Sequence, residues 1–152
     1  MAIEDDIRIL ETVGLFETFT RDQLRLLAFG TERLVLREGR ELYREGQSAD
    51  CAYVIDRGSI SLFREGSSGR VILKTVGPGA VLGEMAIIAQ TKRLTSAMAD
   101  AETEVIRLNR SLFRRILEEY PDLAVSLYEK ISLDLQELID SIARYDNLFS
   151  ES

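Results

Sequence analysis

Glycine punctuation through the middle of the chain constrains the fold more than any other feature of the sequence. Between Leu34 and Leu108, short β-rich runs recur: Leu34 to Leu36, Glu41 to Tyr43, Ala52 to Asp56, Ser59 to Phe63, Arg70 to Val76, Ser96 to Ala99 and Glu104 to Leu108. Between them stand Gly39, Gly46, Gly58, Gly66 and Gly69, then Gly77-Pro78-Gly79 and Gly83. Glycine enters left-handed backbone conformations without the clash a Cβ would bring, so these positions are natural tight turns. Runs separated by glycine turns at such intervals predict a compact antiparallel sandwich or barrel. The polar stretch Glu65-Gly66-Ser67-Ser68-Gly69 is the expected tip of a hairpin, and a mobile one.

Helical texture surrounds this β-rich middle. Ile3, Ile7, Leu10 and Val13 share one helical face, and the pattern ends at Gly14. Thr20-Arg21-Asp22-Gln23 has the form of a capping box, opening a helix with Leu24 and Leu27 inward, and Gly30 closes it. Beyond Leu108, Asn109 is the expected N-cap of a helix from Ser111 to Glu119, with Leu112, Phe113, Ile116 and Leu117 on one face. Pro121 and Asp122 suit the first turn of a long final helix. Its Ala124, Tyr128, Ile131, Leu135, Leu138, Ile142, Tyr145 and Phe149 alternate at spacings of four and three, the seam of a coiled coil. Leu127, Leu133 and Ile139 broaden the stripe. The early turns are therefore expected on the β-rich body and the later turns against a second copy, making a homodimer. No Pro-, Gly- or Ser-rich linker divides the chain, so one domain is expected across 1–152.

Composition excludes several chemistries. The chain has no histidine and one cysteine, Cys51. Imidazole metal sites, His-based triads, iron–sulfur clusters and intramolecular disulfides are thereby ruled out, and no metal is expected. Scattered carboxylates such as Glu84 and Glu102 make no catalytic pair at a readable spacing, so an enzyme is not expected. The net charge of −7 repels phosphate backbones, so nucleic acid is not an expected partner. An anionic ligand would need local donors working against that overall charge. No apolar run approaches the roughly 18 residues that span a bilayer, so no membrane association is expected. The acidic start Met1-Ala2-Ile3-Glu4-Asp5-Asp6 lacks the basic character of a signal or transit peptide, which makes cytoplasmic the default.

One segment supplies such donors. Gly77-Pro78-Gly79 is followed by Leu82-Gly83-Glu84-Met85-Ala86-Ile87-Ile88, with Arg93 ten residues after Gly83. Gly83 permits a sharp turn into a short helix, whose first amides can donate to a phosphate. The small Ala86 would let a ligand approach the backbone. Upstream lie Leu42-Tyr43-Arg44-Glu45-Gly46-Gln47-Ser48-Ala49-Asp50 and Tyr53-Val54-Ile55-Asp56-Arg57-Gly58-Ser59-Ile60. Together these stretches resemble the cyclic nucleotide-binding domain family, which includes catabolite-activator-type regulators, kinase regulatory subunits and cyclic-nucleotide-gated channels.

The resemblance covers roughly residues 12–145. It implies a mainly β fold with flanking helices: an antiparallel double-stranded, jelly-roll-like β-roll over 31–108, N-terminal helices in 1–30 and C-terminal helices in 109–149. It places a phosphate-binding cassette at 83–95, with Gly83, Glu84, Met85, Ala86, Arg93, Leu94 and Thr95 as the binding residues. Glu84 would accept the ribose hydroxyl, and Arg93 would pair with the exocyclic phosphate oxygens through its planar, permanently charged fork. Two positions depart from the family pattern, where proline usually precedes the arginine and a small or hydroxylated residue follows it. Here they are Lys92 and Leu94. The missing hydroxyl at Leu94 favours cAMP over cGMP. The purine-contacting positions correspond to Leu138 and Ile139, both apolar.

Relatives of the activator type continue into a helix-turn-helix DNA-binding domain, whereas this sequence stops at Ser152. The expectation is therefore a stand-alone cyclic nucleotide-binding regulatory module, acting through its C-terminal helix or a separate effector protein. The alternative is a degenerate β-roll that binds no nucleotide and serves as a dimeric interaction scaffold.

Overall fold

Continuous burial along Cys51–Ile55, where an ordinary half-buried strand would alternate, shows how the layers are arranged. The computed structural model describes residues 2–145. Helix α1 (Ala2–Glu11), a 3₁₀ turn (Gly14–Phe16) and α2 (Arg21–Phe29) lead into β1 (Glu32–Leu36), β2 (Glu41–Tyr43), β3 (Ser48–Ala49), β4 (Cys51–Arg57), β5 (Ile60–Gly66), β6 (Gly69–Val76) and β7 (Val81–Leu82). Then come α3 (Met85–Ile88), β8 (Thr91–Lys92), β9 (Ser96–Ala99), β10 (Thr103–Asn109), α4 (Arg110–Glu119) and α5 (Pro121–Arg144). One four-stranded sheet runs β1-β10-β4-β7 and the other β2-β9-β5-β6, with β3-β8 as a separate ribbon. Every pairing is antiparallel. This is the double-sheeted β-roll with N-terminal helices and a long C-terminal helix.

The first sheet has a core on each face, which is why β4 is buried throughout. Cys51, Tyr53 and Ile55 face the second sheet with Ile60, Leu82, Ala97 and Val105. Ala52 and Val54 face the helices, where Ile106 and Leu108 of β10 join Ile7, Leu27, Phe113, Leu127 and Ile131. Phe16 stacks against Phe113 with ring centroids 5.7 Å apart, tying the 3₁₀ turn to α4. Arg33 adds a polar tie: its guanidinium bonds Asp6 of α1, Asp56 of β4 and Glu104 of β10. Gly58 takes φ +100 at the β4–β5 turn, where a Cβ would stand 2.6 Å from the Thr103 Cα.

The Thr20 capping box forms in full, with both reciprocal bonds to Gln23 present, and Gly30 caps the end of α2. Pro121 occupies the first turn of α5. Other expectations need correction. Helix α1 stops at Glu11, and the Thr12 hydroxyl folds back on the Ile9 carbonyl at 2.6 Å, placing Val13 in the entry to the 3₁₀ turn. The two-residue strands β3, β7 and β8 carry too little pattern to be read from sequence. Asn109 is the N-cap of α4 but its side chain makes no capping bond.

On α5 the buried residues are Leu123, Leu127 and Ile131. The proposed seam therefore does not begin where the helix docks: Ala124 is half-buried and Tyr128 is 49% exposed. Four-residue steps keep Leu123, Leu127 and Ile131 on the side facing the body, leaving Tyr128 turned outward. Phe149, the last seam position, lies outside the described residues.

Candidate functional site

The cassette begins where β7 ends. Gly83 takes φ +68, a left-handed conformation that turns the chain from Leu82 into α3. Its missing Cβ is needed a second time, because a Cβ there would overlap Arg93 Nη1 and sit 3.3 Å from Arg93 Cζ. Arg93 is held from the opposite direction by the β3–β8 ribbon. Its N–H donates to the Gln47 carbonyl at 2.8 Å, and the Gly46 N–H donates to its carbonyl at 2.9 Å.

From there the Arg93 side chain runs inward and is only 7% exposed. Nη2 donates to the Cys51 carbonyl at 2.9 Å and lies 3.5 Å from the Cys51 sulfur. The guanidinium lies over the Tyr43 ring, 4.2 Å from its centroid, and 5.8 Å from that of Tyr53. Nη1 is buried with no hydrogen-bond partner among the described residues. The bonds this guanidinium makes thus go to a carbonyl and a sulfur, not to a carboxylate. A buried cation lacking a counter-charge is costly, and an anion beside Gly83 would remove that cost.

A cavity of about 1140 Å³ opens between the β-roll and α5. Gly83, Glu84, Met85, Arg93, Leu94 and Thr95 line it from the β-roll. Six of the seven sequence-derived site residues are therefore brought together. Ala86 is the exception. It is fully buried, does not line the cavity, and its N–H donates to the Gly83 carbonyl at 3.1 Å within the first turn of α3. Thr95 is buried, and the Tyr43 hydroxyl is pushed up to about 12 by burial. Leu94 stands 39% exposed and Lys92 is exposed. Across the cavity, α5 contributes Asp134, Leu138 and Ile139.

Glu84 is the N-cap of α3, with helical backbone angles and no capping bond from its side chain. Its carboxyl borders the cavity, as does Asp134 of α5. Burial, then the charge and hydrogen bond of Asp134, push the Glu84 carboxyl up to about 8, with Glu137 adding to the effect and Lys74 opposing it. Sequence reasoning missed Tyr43, the Cys51 carbonyl, Lys74 and Asp134. Tyr43 and Cys51 stood inside quoted motifs, but nothing local marks either as support for an arginine far along the chain.

Among the described residues, no cluster of three or more Cys, Asp or Glu is placed to hold a metal, and no helix is long and apolar enough to cross a membrane. The cyclic nucleotide-binding domain model matches residues 33–120, more than half of the chain, including the cassette. The chain belongs to the cyclic nucleotide-binding domain family. A solved cyclic nucleotide-binding-like protein from Brucella abortus is 75% identical, with a TM-score of 0.68, covering 75% of this chain and 98% of that one. The cAMP-dependent protein kinase regulatory subunit of Eremothecium gossypii is 28% identical over 132 residues, 87% of this chain and 28% of its own. A lysophospholipase of Neurospora crassa is 26% identical over 117 residues, 76% of this chain but 8% of the enzyme. The chain thus spans under a third of the length of these two relatives, and the likeness concerns the matched segment alone.

Proposed function

We propose that the chain is a regulatory module that binds a cyclic nucleotide in the α5-covered cavity, cAMP in preference to cGMP. The observation that carries this reading is Arg93 Nη1: a buried guanidinium nitrogen without a partner, facing Gly83. The exocyclic phosphate oxygens complete it, Glu84 accepts a ribose hydroxyl, and Met85, Leu94 and Thr95 form the surrounding wall. Ala86 acts from beneath, as a small residue in the turn. The preference for cAMP rests on Leu94, which offers no hydroxyl to guanine, and on the cAMP-dependent kinase relative. With no histidine and no readable acid–base pair, the role is ligand-gated regulation and not catalysis. The module acts in the cytoplasm, signalling through α5 or a separate effector protein, with no nucleic acid or membrane partner.

Isothermal titration of the protein with cAMP and cGMP tests this directly. Charge-assisted hydrogen bonds are worth about 1.5–3 kcal/mol, so Arg93→Ala should weaken cAMP roughly tenfold to a hundredfold. Arg93→Lys should recover only part of it, since an ammonium lacks the planar fork. Absence of heat or thermal shift at roughly millimolar ligand refutes the reading.

That outcome would favour the second reading, an interaction scaffold whose cavity takes no nucleotide. In its support, burial first and then the Asp134 charge push the Glu84 carboxyl up to about 8, away from the ionised form that best accepts a ribose hydroxyl. Under either reading the proposed partner of α5 is a second copy of the chain. Val125, Tyr128 and Ile139 are exposed apolar residues, and with half-buried Leu135 and Ile142 they recur at steps of three, seven, four and three residues along one stripe. The stripe lies about a quarter of a turn round from Leu127 and Ile131, although its Leu135 and Ile139 also border the cavity. Val125→Asp, at an exposed residue that does not border the cavity, should convert a dimer to a monomer by light scattering, and an unchanged mass would discredit this stripe.

A further inference from the structure

Arg93 and Tyr43 each line two cavities. One is the large cavity under α5, and the other is a second cavity of about 330 Å³, bordered also by Cys51, Tyr53 and Arg107. Glu32 and Asp50 line this second cavity as well, and their carboxylates meet Arg107 at 3.1 and 3.7 Å. A guanidinium with an unpaired nitrogen is drawn toward carboxylates, yet Nη1 of Arg93 faces Gly83. What lies against the guanidinium is aromatic. Arg93 Cζ is 4.2 Å from the Tyr43 centroid, and Tyr43 stacks on Tyr53 with centroids 6.2 Å apart and planes inclined by 23°. Tyr43 comes from β2 and Tyr53 from β4, so the ring pair joins the two sheets, and both residues are buried. A π face attracts a cation most strongly where water is kept away.

We infer that Tyr43 is a positioning residue of the phosphate site, whose ring holds the Arg93 guanidinium beneath Gly83 and keeps it from withdrawing into the second cavity. This role rests on the proposed pairing of Arg93 with the cyclic phosphate. The ring face does the holding and not the hydroxyl, because the cation lies over the ring. An aromatic support also suits a site that must take an anion. A carboxylate in its place would occupy the N–H groups and compete with the phosphate, whereas a π face attracts the cation and leaves those groups free to donate. Without the ring, the ligand must first recover a guanidinium that rests elsewhere, and apparent affinity falls with the fraction still in place. Shielded cation–π contacts shift such an equilibrium roughly five- to thirtyfold.

The test is calorimetric titration of the full chain with cAMP, in wild type, Tyr43→Phe and Tyr43→Leu, with Tyr43→Leu repeated in an Arg93→Ala background. Tyr43→Leu should weaken cAMP roughly five- to thirtyfold, and Tyr43→Phe, which keeps a ring, should stay within about threefold of wild type. With Arg93→Ala in place, Tyr43→Leu should change affinity by less than about twofold, because the ring then has no cation to hold. A residue that merely filled the core would lower affinity alike in both backgrounds. Equal losses in the two backgrounds, wild-type affinity in Tyr43→Leu, or a loss in Tyr43→Phe as large as that in Tyr43→Leu overturns the inference.

A readout without ligand separates this from failure of the nucleotide reading, and it serves even where Tyr43→Leu does not fold. Nitrogen-edited NMR of the arginine side-chain N–H groups, with Arg93→Lys for assignment, should show the Arg93 signals displaced upfield by the Tyr43 ring current. Tyr43→Phe should keep that displacement and Tyr43→Leu should lose most of it. Undisplaced Arg93 signals in wild type refute the ring contact itself. No cAMP binding by wild type, with the displacement present, refutes the nucleotide reading and with it the positioning role.

Discussion

Gly83→Ala isolates the reason a glycine stands against Arg93. Two costs are separable. Holding alanine at φ +68 costs about 1–2 kcal/mol, because its Cβ crowds the following carbonyl. The second cost is displacement of the guanidinium that the new methyl would overlap. Arg93 would surrender its bond to the Cys51 carbonyl, worth about 1.5–3 kcal/mol for a charged donor. It would also loosen its contact with the Tyr43 ring, worth roughly 0.5–2 kcal/mol. The arginine is enclosed and cannot simply swing to solvent, so the single variant should lose about 3–7 kcal/mol. In an Arg93→Ala background only the backbone cost remains. The same change should then lose about 1–2 kcal/mol, a coupling of about 2–5 kcal/mol. Urea denaturation of the four proteins, followed by circular dichroism without ligand, measures the cycle, in which the effect of Arg93→Ala by itself cancels. Equal costs for Gly83→Ala in both backgrounds, within about 0.5 kcal/mol, would show that the glycine serves only the turn.

Glu84 links stability to pH in the same free state. Its folded carboxyl titrates at about 8 against an ordinary 4.5, so between those values the folded protein holds a proton the unfolded chain has lost. Stability from this group therefore falls as pH rises through that window. Glu84→Gln should match wild type at about pH 4 and exceed it at about pH 9 in thermal melts, and equal melts at both would refute the assignment. Arg33→Ala should cost about 3–5 kcal/mol by denaturant titration, because it strands the Asp56 carboxylate and leaves Asp6 only the Thr31 hydroxyl and Glu104 only Arg57. A loss below about 1 kcal/mol would reduce that cluster to a solvated surface network.

The sequence by itself determined what depends on nearest neighbours along the chain. The Thr20–Gln23 box, the turns at Gly58 and Gly83, and Pro121 at the head of α5 each satisfy a local backbone demand, so each is legible wherever it occurs. The spacing from Gly83 to Arg93 was readable for the same reason, since one short helix and one ribbon separate them. Only the tertiary structure decided where the Arg93 guanidinium ends: beneath the cavity, on the Cys51 carbonyl and the Tyr43 ring, with one nitrogen unpaired. It also decided that Asp134 borders the same cavity as Glu84 and that α5 docks through Leu123, Leu127 and Ile131. The heptad-like steps on α5 did not choose between its faces, because its apolar residues spread over more than one stripe. Such contacts join residues distant in the chain, and their partners are selected by how two sheets and a helix pack, which no local periodicity records.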